Sequence, residues 1–267
     1  MAKKITTVLA FFKITLKETF TYRGVLLLWL LGWLLSFLTM YFLWQTSAVN
    51  GRVGSFSLNE LISYYFIGVC VVVLCGWYPF YAIHEMIKNG SVVHFLLKPV
   101  DFFWYALGFE LGWHSVNTLL YLGFLSLIIF FLKNQLVFNL FWWQLPSFLL
   151  SLAMAALISL EVNLILASAT FWLTKSEGLG SLFWMAIFLL GGQAVPLDFF
   201  PQRWQALVAV LPFRFMYSLP LEVYLNRGVI LGLPLSLLLG FFWIIALYLI
   251  FKFSWRKGCQ VYTAFGQ

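Results

Sequence analysis

Apolar residues in this chain come in runs of about twenty rather than at every second or every third to fourth position. Such runs cover residues 24–44, 61–83, 104–132, 147–173 and 229–251, with a shorter one at 181–190. They match the ~30 Å hydrocarbon of a bilayer and predict spanning helices. A transmembrane barrel would alternate polar and apolar positions over about ten residues, and these runs are apolar on every face. Between the second and third runs lies a polar island, residues 84–101, holding His84, Glu85, Lys88, His94, Lys98 and Asp101. It also carries Ile87, Val92, Val93, Phe95, Leu96 and Leu97. A loop that only returns the chain has no need of that apolar surface, so the island predicts a short helix docked on another protein.

The first 22 residues mix lysines with apolar side chains, and Leu9, Phe12, Leu16 and Phe20 fall on one helical stripe with Lys13 and Lys17 displaced from it. This predicts an amphipathic helix lying in the headgroup plane. With no apolar stretch leading to a small-residue cleavage site, no removable signal peptide is expected. Pro79 predicts a kink near the end of the second run, tolerable where neighbours satisfy the freed carbonyl. The sixth of the apolar runs in chain order, 229–251, is preceded by a segment, 191–220, that is broken by Pro196, Pro201, Pro212 and Pro220. It predicts half-helices or a surface helix forming a re-entrant cap rather than a span.

Composition sharpens the picture without changing it. The chain is 63% hydrophobic and 9% charged, with 267 residues and a net charge of +7. The expected fold is therefore an all-α polytopic membrane protein, one transmembrane domain over residues 1–267 with six spans and both termini on one side. In a membrane protein the basic residues report orientation rather than nucleic acid. Eleven Lys and Arg fall on the side of the termini and the island, against Arg52, Lys133, Arg203, Arg214 and Arg227 opposite, about two to one. Termini and island are expected in the cytoplasm, the cap outside. Several tryptophans, among them Trp29, Trp33, Trp44, Trp142 and Trp143, fall near the predicted interfaces as an anchoring belt requires.

Catalytic patterns are missing. The phosphate-cradling GxxxxGK[ST] does not occur, and the start of a zinc motif at His84 and Glu85 fails because Lys88 stands where the second imidazole is needed. Intramembrane polar residues draw attention as costly groups. Glu161 and Asn163, and Glu110 between Gly108 and Gly112, are candidates for a translocation path or for helix packing. The GxxxG spacing of these glycines allows a close helix approach, and Gly228 with Gly232 repeats it.

Three stretches resemble the membrane subunits of ABC-2 type exporters, and among them the stand-alone permeases. The first is Ile87-Lys88-Asn89-Gly90 followed by Phe95-Leu96-Leu97-Lys98-Pro99. The second joins Gly191-Gly192, Val195-Pro196-Leu197, Phe199-Phe200-Pro201 and Leu211-Pro212-Phe213; the third is Gly258, Tyr262 and Gly266. The resemblance implies a permease working with two separate ATP-binding subunits, which bind ATP and Mg, and with a second permease, identical or related. No cofactor or metal is expected in this chain, and no nucleic acid partner. It implies an ATPase contact at Glu85, Met86, Ile87, Lys88, Phe95 and Leu96, with Gly90 permitting the turn, and an outer gate at Pro196, Phe199, Phe200, Pro201 and Pro212. A multi-pass position in a bacterial cytoplasmic membrane follows, among its lipids. Two other readings compete. One is a lipid or polyprenyl enzyme using His84, Glu85, Asp101, Glu110 and His114. The other is a secondary transporter with its proton site at Glu161 or Glu110.

Overall fold

The computed structural model describes residues 2–262 apart from 22, 99, 174 and 228. Helix α1 (Ala2–Thr21) leads into α2 (Arg23–Ser47), and a two-stranded antiparallel hairpin follows, β1 (Arg52–Val53) with β2 (Phe56–Ser57), in the register Val53 opposite Phe56. Then come α3 (Leu58–Cys75), α4 (Phe80–Lys88), α5 (Val93–Leu96), α6 (Phe102–Leu132) and α7 (Leu145–Ser168). The chain continues through α8 (Glu177–Leu190), α9 (Gln202–Val210), α10 (Pro212–Met216) and α11 (Ser218–Tyr224) and finishes in α12 (Leu233–Val261). Among the described residues, five helical stretches are long and apolar enough to cross a membrane: α2, α3 with α4, α6, α7 and α12. The remaining expected span is α8, whose 14 residues reach about 21 Å at 1.5 Å per residue, short of the hydrocarbon thickness.

Helix α7 is the axis of the bundle. Ala155, Ile158, Leu160, Leu164 and Ala167 are 0% exposed, and α7 touches α3, α4, α8, α10, α11 and α12. A helix apolar on every side is satisfied by neighbours on every side. By contrast α2, the far half of α6 and α12 present Leu35, Phe130, Phe131, Phe242 and Phe253 outward, as lipid-facing helices do.

The second apolar run is interrupted where Pro79 removes a backbone donor and crowds the carbonyl four residues back. Helix α3 ends at Cys75 and α4 begins at Phe80. Four of the carbonyls released there find partners. Trp77 N–H donates to Cys75 at 2.8 Å, and its indole N–H donates to Leu74 at 3.1 Å. His114 Nδ1 lies 2.8 Å from the Val73 carbonyl, and Asn163 Nδ2 donates to the Trp77 carbonyl at 3.3 Å. A break at membrane depth is sustainable only with such partners.

Helix α1 docks along the first half of α6 rather than presenting the stripe read from the sequence. Its inward side is Val8, Phe11, Phe12, Thr15 and Thr19, and the last two are 2% and 0% exposed. Leu9, expected on the apolar face, is 51% exposed, and the Phe20 side chain lies outside the described residues. Gly108 and Gly112 make the contact possible. A Cβ on Gly108 would stand 2.6 Å from the Val8 carbonyl oxygen, and one on Gly112 2.8 Å from Thr15 Cβ. The GxxxG face is thus occupied by the protein's own first helix. Gly112→Leu is expected to cost about 1–3 kcal/mol and to expose Thr15; a Thr15→Cys reporter, unreactive to maleimide in the parent, should label readily in the Gly112→Leu background.

Candidate coupling segment and polar interior

The polar island folds as α4, a turn and α5. Phe80, Ile83, His84 and Ile87 are buried at spacings of three and four, so α4 turns one face inward and leaves Glu85, Lys88 and Asn89 exposed. Gly90 reverses the chain at φ +82°, a conformation that costs side-chain-bearing residues about 1–2 kcal/mol. Ser91 N–H donates to Asn89 Oδ1 at 3.0 Å, locking the turn, and Val92 N–H donates back to the Met86 carbonyl at 3.0 Å. In α5, Phe95 packs inward on Tyr105, with ring centroids 4.3 Å apart, and on Phe102 and Phe11. Met86 is half-buried against the Tyr105 hydroxyl. Leu96 and Leu97 point away, 38% and 79% exposed. Asp101 closes the segment by capping α6 through Phe103 N–H at 3.0 Å and pairing with Lys252.

Ile87, expected at the ATPase contact, is 4% exposed and belongs to the core with Ile83, Val92 and Phe102, because it lies one turn beyond Ile83 on the inward face of α4. Its carbonyl accepts the Tyr262 hydroxyl at 3.1 Å, and Tyr262 in turn stacks edge-on against Phe171, 5.4 Å between centroids. A Cβ on Gly258 would meet the same Phe171 ring at 2.1 Å. Gly258 and Tyr262 of the carboxy-terminal stretch therefore clamp the tail onto α4; Gly266 and Pro99 lie outside the described residues.

A second tie runs from α4 to the start of α8, where Lys88 pairs with Glu177. Beside it His84, 1% exposed, has its Nδ1 3.2 Å from Thr170 Oγ1 and 3.0 Å from Ser176 Oγ. The five residues required by a lipid enzyme do not converge. His84 is held at α8, Glu85 faces outward, Asp101 pairs with Lys252, and Glu110 pairs with His114, Oε2 to Nε2 3.3 Å. Among the described residues no three His, Cys, Asp or Glu side chains could hold a metal ion.

Deeper in the bundle the expected polar residues separate. Asn163 serves the α3/α4 break and also donates to Ser159 at 2.9 Å. Glu161 is 1% exposed, with Oε2 lacking a partner. Glu110, 4% exposed, instead lines a cavity of about 360 Å³ together with His114, Asn117 and aromatic side chains of α2, α6 and α8; Glu161 and Asn163 are not among its lining residues.

Three of the four prolines of the expected cap start a helical turn, and Pro220 lies in the first turn of α11. Pro196 precedes the 3₁₀ turn Leu197–Phe199, Pro201 precedes α9, and Pro212 opens α10, positions where a missing N–H costs nothing. Phe199 stacks on Trp44 at 5.7 Å and on Phe56 at 5.3 Å, and the Phe200 carbonyl accepts Gln205 Nε2 at 2.8 Å. From Arg214 to Leu225 every residue is buried, so the segment enters the bundle instead of resting on it. Arg214, counted from sequence among the outward basic residues, is 0% exposed and forms a two-pronged pair with Glu222. Leu97, named in the apolar surface of the island, was left out of the expected ATPase contact, and Tyr64 and the Arg214–Glu222 pair were absent from the residues expected to matter. Of the latter only the pair left a sequence signal, opposite charges two helical turns apart in an apolar stretch.

No curated protein and no solved structure matches the chain. A family model described as ABC-2 family transporter protein matches residues 27–266, a range that takes in the α4/α5 segment, the glycine pair ending α8 and the Gly258–Tyr262 clamp. The chain belongs to the ABC-2 family of transporter proteins, and it is a multi-pass membrane protein with a permease role.

Proposed function

We propose that this protein is the membrane subunit of an ATP-driven exporter, coupled through α4, Gly90 and α5 to separate ATPase subunits that bind ATP and Mg. One observation carries the reading. Leu97 and Leu96 stand exposed within a segment whose other outward residues are Glu85, Lys88, Asn89, His94 and Lys98. An exposed apolar patch with a polar rim suits a protein partner. The partner's motion would reach the bundle by two connections: Lys88 to Glu177 at the foot of α8, and Ile87 and Phe95 to the core between α4 and α6. Two ATPase subunits and a second permease, identical or related, complete the assembly. Both termini and the coupling segment face the cytoplasm of a bacterial cell, and the proline-broken region gates the outer side.

Leu97→Glu is the direct test. It changes an exposed side chain and leaves the core intact, so the chain should remain monodisperse. Recovery of the ATPase subunits by pull-down in mild detergent should fall at least about tenfold, the equivalent of ~1.4 kcal/mol. Ile87→Ala should act differently, lowering thermal stability by about 2–4 kcal/mol without a selective loss of partner. A Leu97→Glu protein that retains full ATPase association would sink the coupling reading.

A further inference from the structure

We propose that the link between α3 and α4, residues 76–79, is a hinge about which α4 and α5 tilt as one unit against α2 and α3. The hydrophobic core divides at this point. Buried side chains of α3 up to Val72 cluster with Phe37 and Trp44 of α2, whereas Cys75 and Trp77 cluster with Ile83, Phe102, Leu160 and Phe251 of α4, α6, α7 and α12. Side chains close-packed in one cluster move together, so relative movement belongs at the boundary between two. The backbone is loose at the same place. Gly76 sits at φ −75°, ψ 67°, and with the Trp77 N–H donating to the Cys75 carbonyl it forms an inverse γ-turn. Among the described residues no backbone hydrogen bond passes from α3 to α4, so the main chain does not fix the angle between them.

Side chains from other helices set that angle. His114 Nδ1–H donates to the Val73 carbonyl on the α3 side, and Asn163 Nδ2 donates to the Trp77 carbonyl on the link. Each pin is a single hydrogen bond, weak enough to part while both helices stay folded. Movement also needs room, and a close-packed interior has little. The cavity of about 360 Å³ lies against the link, walled by Trp33, Val72 and Val73 from the α2–α3 side and by Tyr81 and Ala82 from the α4 side. Beyond the link α4 is bound into its own unit. Its Ile87 carbonyl accepts the Tyr262 hydroxyl, His84 Nδ1 lies 3.0 Å from Ser176 Oγ, and Lys88 pairs with Glu177, so the tail and the foot of α8 travel with it. Helices α6 and α7 run past the hinge unbroken, which confines the movement to a small tilt. The nine residues of α4 reach about 14 Å, and a tilt of about 15° carries Lys88 through about 3–4 Å. What drives the tilt rests on the exporter reading, since an ATPase docked on Leu97 would push on the far end of this lever; the hinge itself does not.

Spin-label distance distributions on the full chain in detergent, with Cys70, Cys75 and Cys259 replaced by Ala, test the hinge. The pair Asn59→Cys with Glu85→Cys spans it. Leu35→Cys with Asn59→Cys lies within the α2–α3 unit, and Glu85→Cys with Arg256→Cys within the α4 unit; all four positions are exposed. The spanning distribution should be at least about twice as wide as either of the others, the spread that a tilt of this size produces. Adding His114→Ala and Asn163→Ala, which removes both pins, should widen the spanning distribution further or move its mean by about 3 Å and leave the other two unchanged. A spanning distribution no wider than the others in the parent would overturn the inference. So would an unchanged spanning distribution in a folded protein without the pins, or equal broadening of all three pairs, which marks general loosening. If the variant without pins does not fold, the three distributions of the parent decide it. The sample holds no ATPase, so failure of the exporter reading in the Leu97→Glu pull-down and failure of the hinge are told apart.

Discussion

Arg214→Ala is expected to cost about 3–5 kcal/mol, a large part of the stability of a typical domain, and to appear as loss of monodisperse protein on mild heating in detergent. The guanidinium is 0% exposed and Glu222 8%. Nε donates to Oε1 at 3.0 Å and Nη2 to Oε2 at 2.6 Å, while Nη1 reaches the Ala209 carbonyl and Ser236 Oγ, each at 3.2 Å. One side chain thus ties α10 to α11, α9 and α12. These short helices have many unpaired ends and little area apiece, so a planar fork with several donors does work that long helices obtain from packing. Lysine cannot reproduce the fork, and Arg214→Lys should recover only a minor share of the loss. Removing one partner leaves the other charged and buried, which is why the single substitutions Arg214→Ala and Glu222→Ala should both be severe. The double substitution Arg214→Met with Glu222→Leu should recover most of the stability, since apolar side chains of similar volume can replace a buried pair. The check is the thermal midpoint of the singles and the double by size exclusion; singles within about 1 kcal/mol of the parent would show that the pair is solvated in the membrane-embedded protein.

The sequence makes the long elements plain and the contacts between them obscure, for physical reasons. Runs of twenty apolar residues predict α2, α6, α7 and α12 because a bilayer dictates length. Pro79 marks the position of a break, since its effect is local. The groups that make the break tolerable, His114 and Asn163, arrive from α6 and α7, and no local pattern links them to it. Gly108 and Gly112 announce a close approach but not that α1 is the neighbour. Ile87 was assigned outward by its place in a short motif, whereas its spacing from Phe80 and Ile83 sets it on the buried face of α4; Leu97, next to Leu96, is the more exposed of the two. Arg214 entered the charge count as an outward basic residue because a lone arginine near a proline resembles the flank of an apolar run, and only the packing of α10 and α11 against α7 reveals it as interior.

Gly192→Val should be the most damaging change at the end of α8. Gly192 sits at φ +92°, where a side chain adds about 1–2 kcal/mol of backbone strain. A Cβ would also stand 2.2 Å from Ser218 Oγ and 2.8 Å from Tyr64 Oη, a collision that adds about 1–3 kcal/mol. The two hydroxyls cannot simply retreat. Ser218 donates to the Gly191 carbonyl at 2.7 Å and Tyr64 to the Gly192 carbonyl at 2.8 Å, and these bonds satisfy the buried carbonyls just past the end of α8. A third tie, Tyr65 to the Ala194 carbonyl at 2.9 Å, continues the same seam. Tyr64→Phe removes one hydrogen bond and should cost about 1 kcal/mol. Gly192→Ala combines strain with collision and should cost about 2–5 kcal/mol, and the β-branched valine more again. That order, read from thermal midpoints in one detergent, distinguishes a conformational requirement at Gly192 from a mere loss of polar contact. Were Gly192→Ala as mild as Tyr64→Phe, the tight seam joining α3, α8 and α11 would not hold the short helix in place.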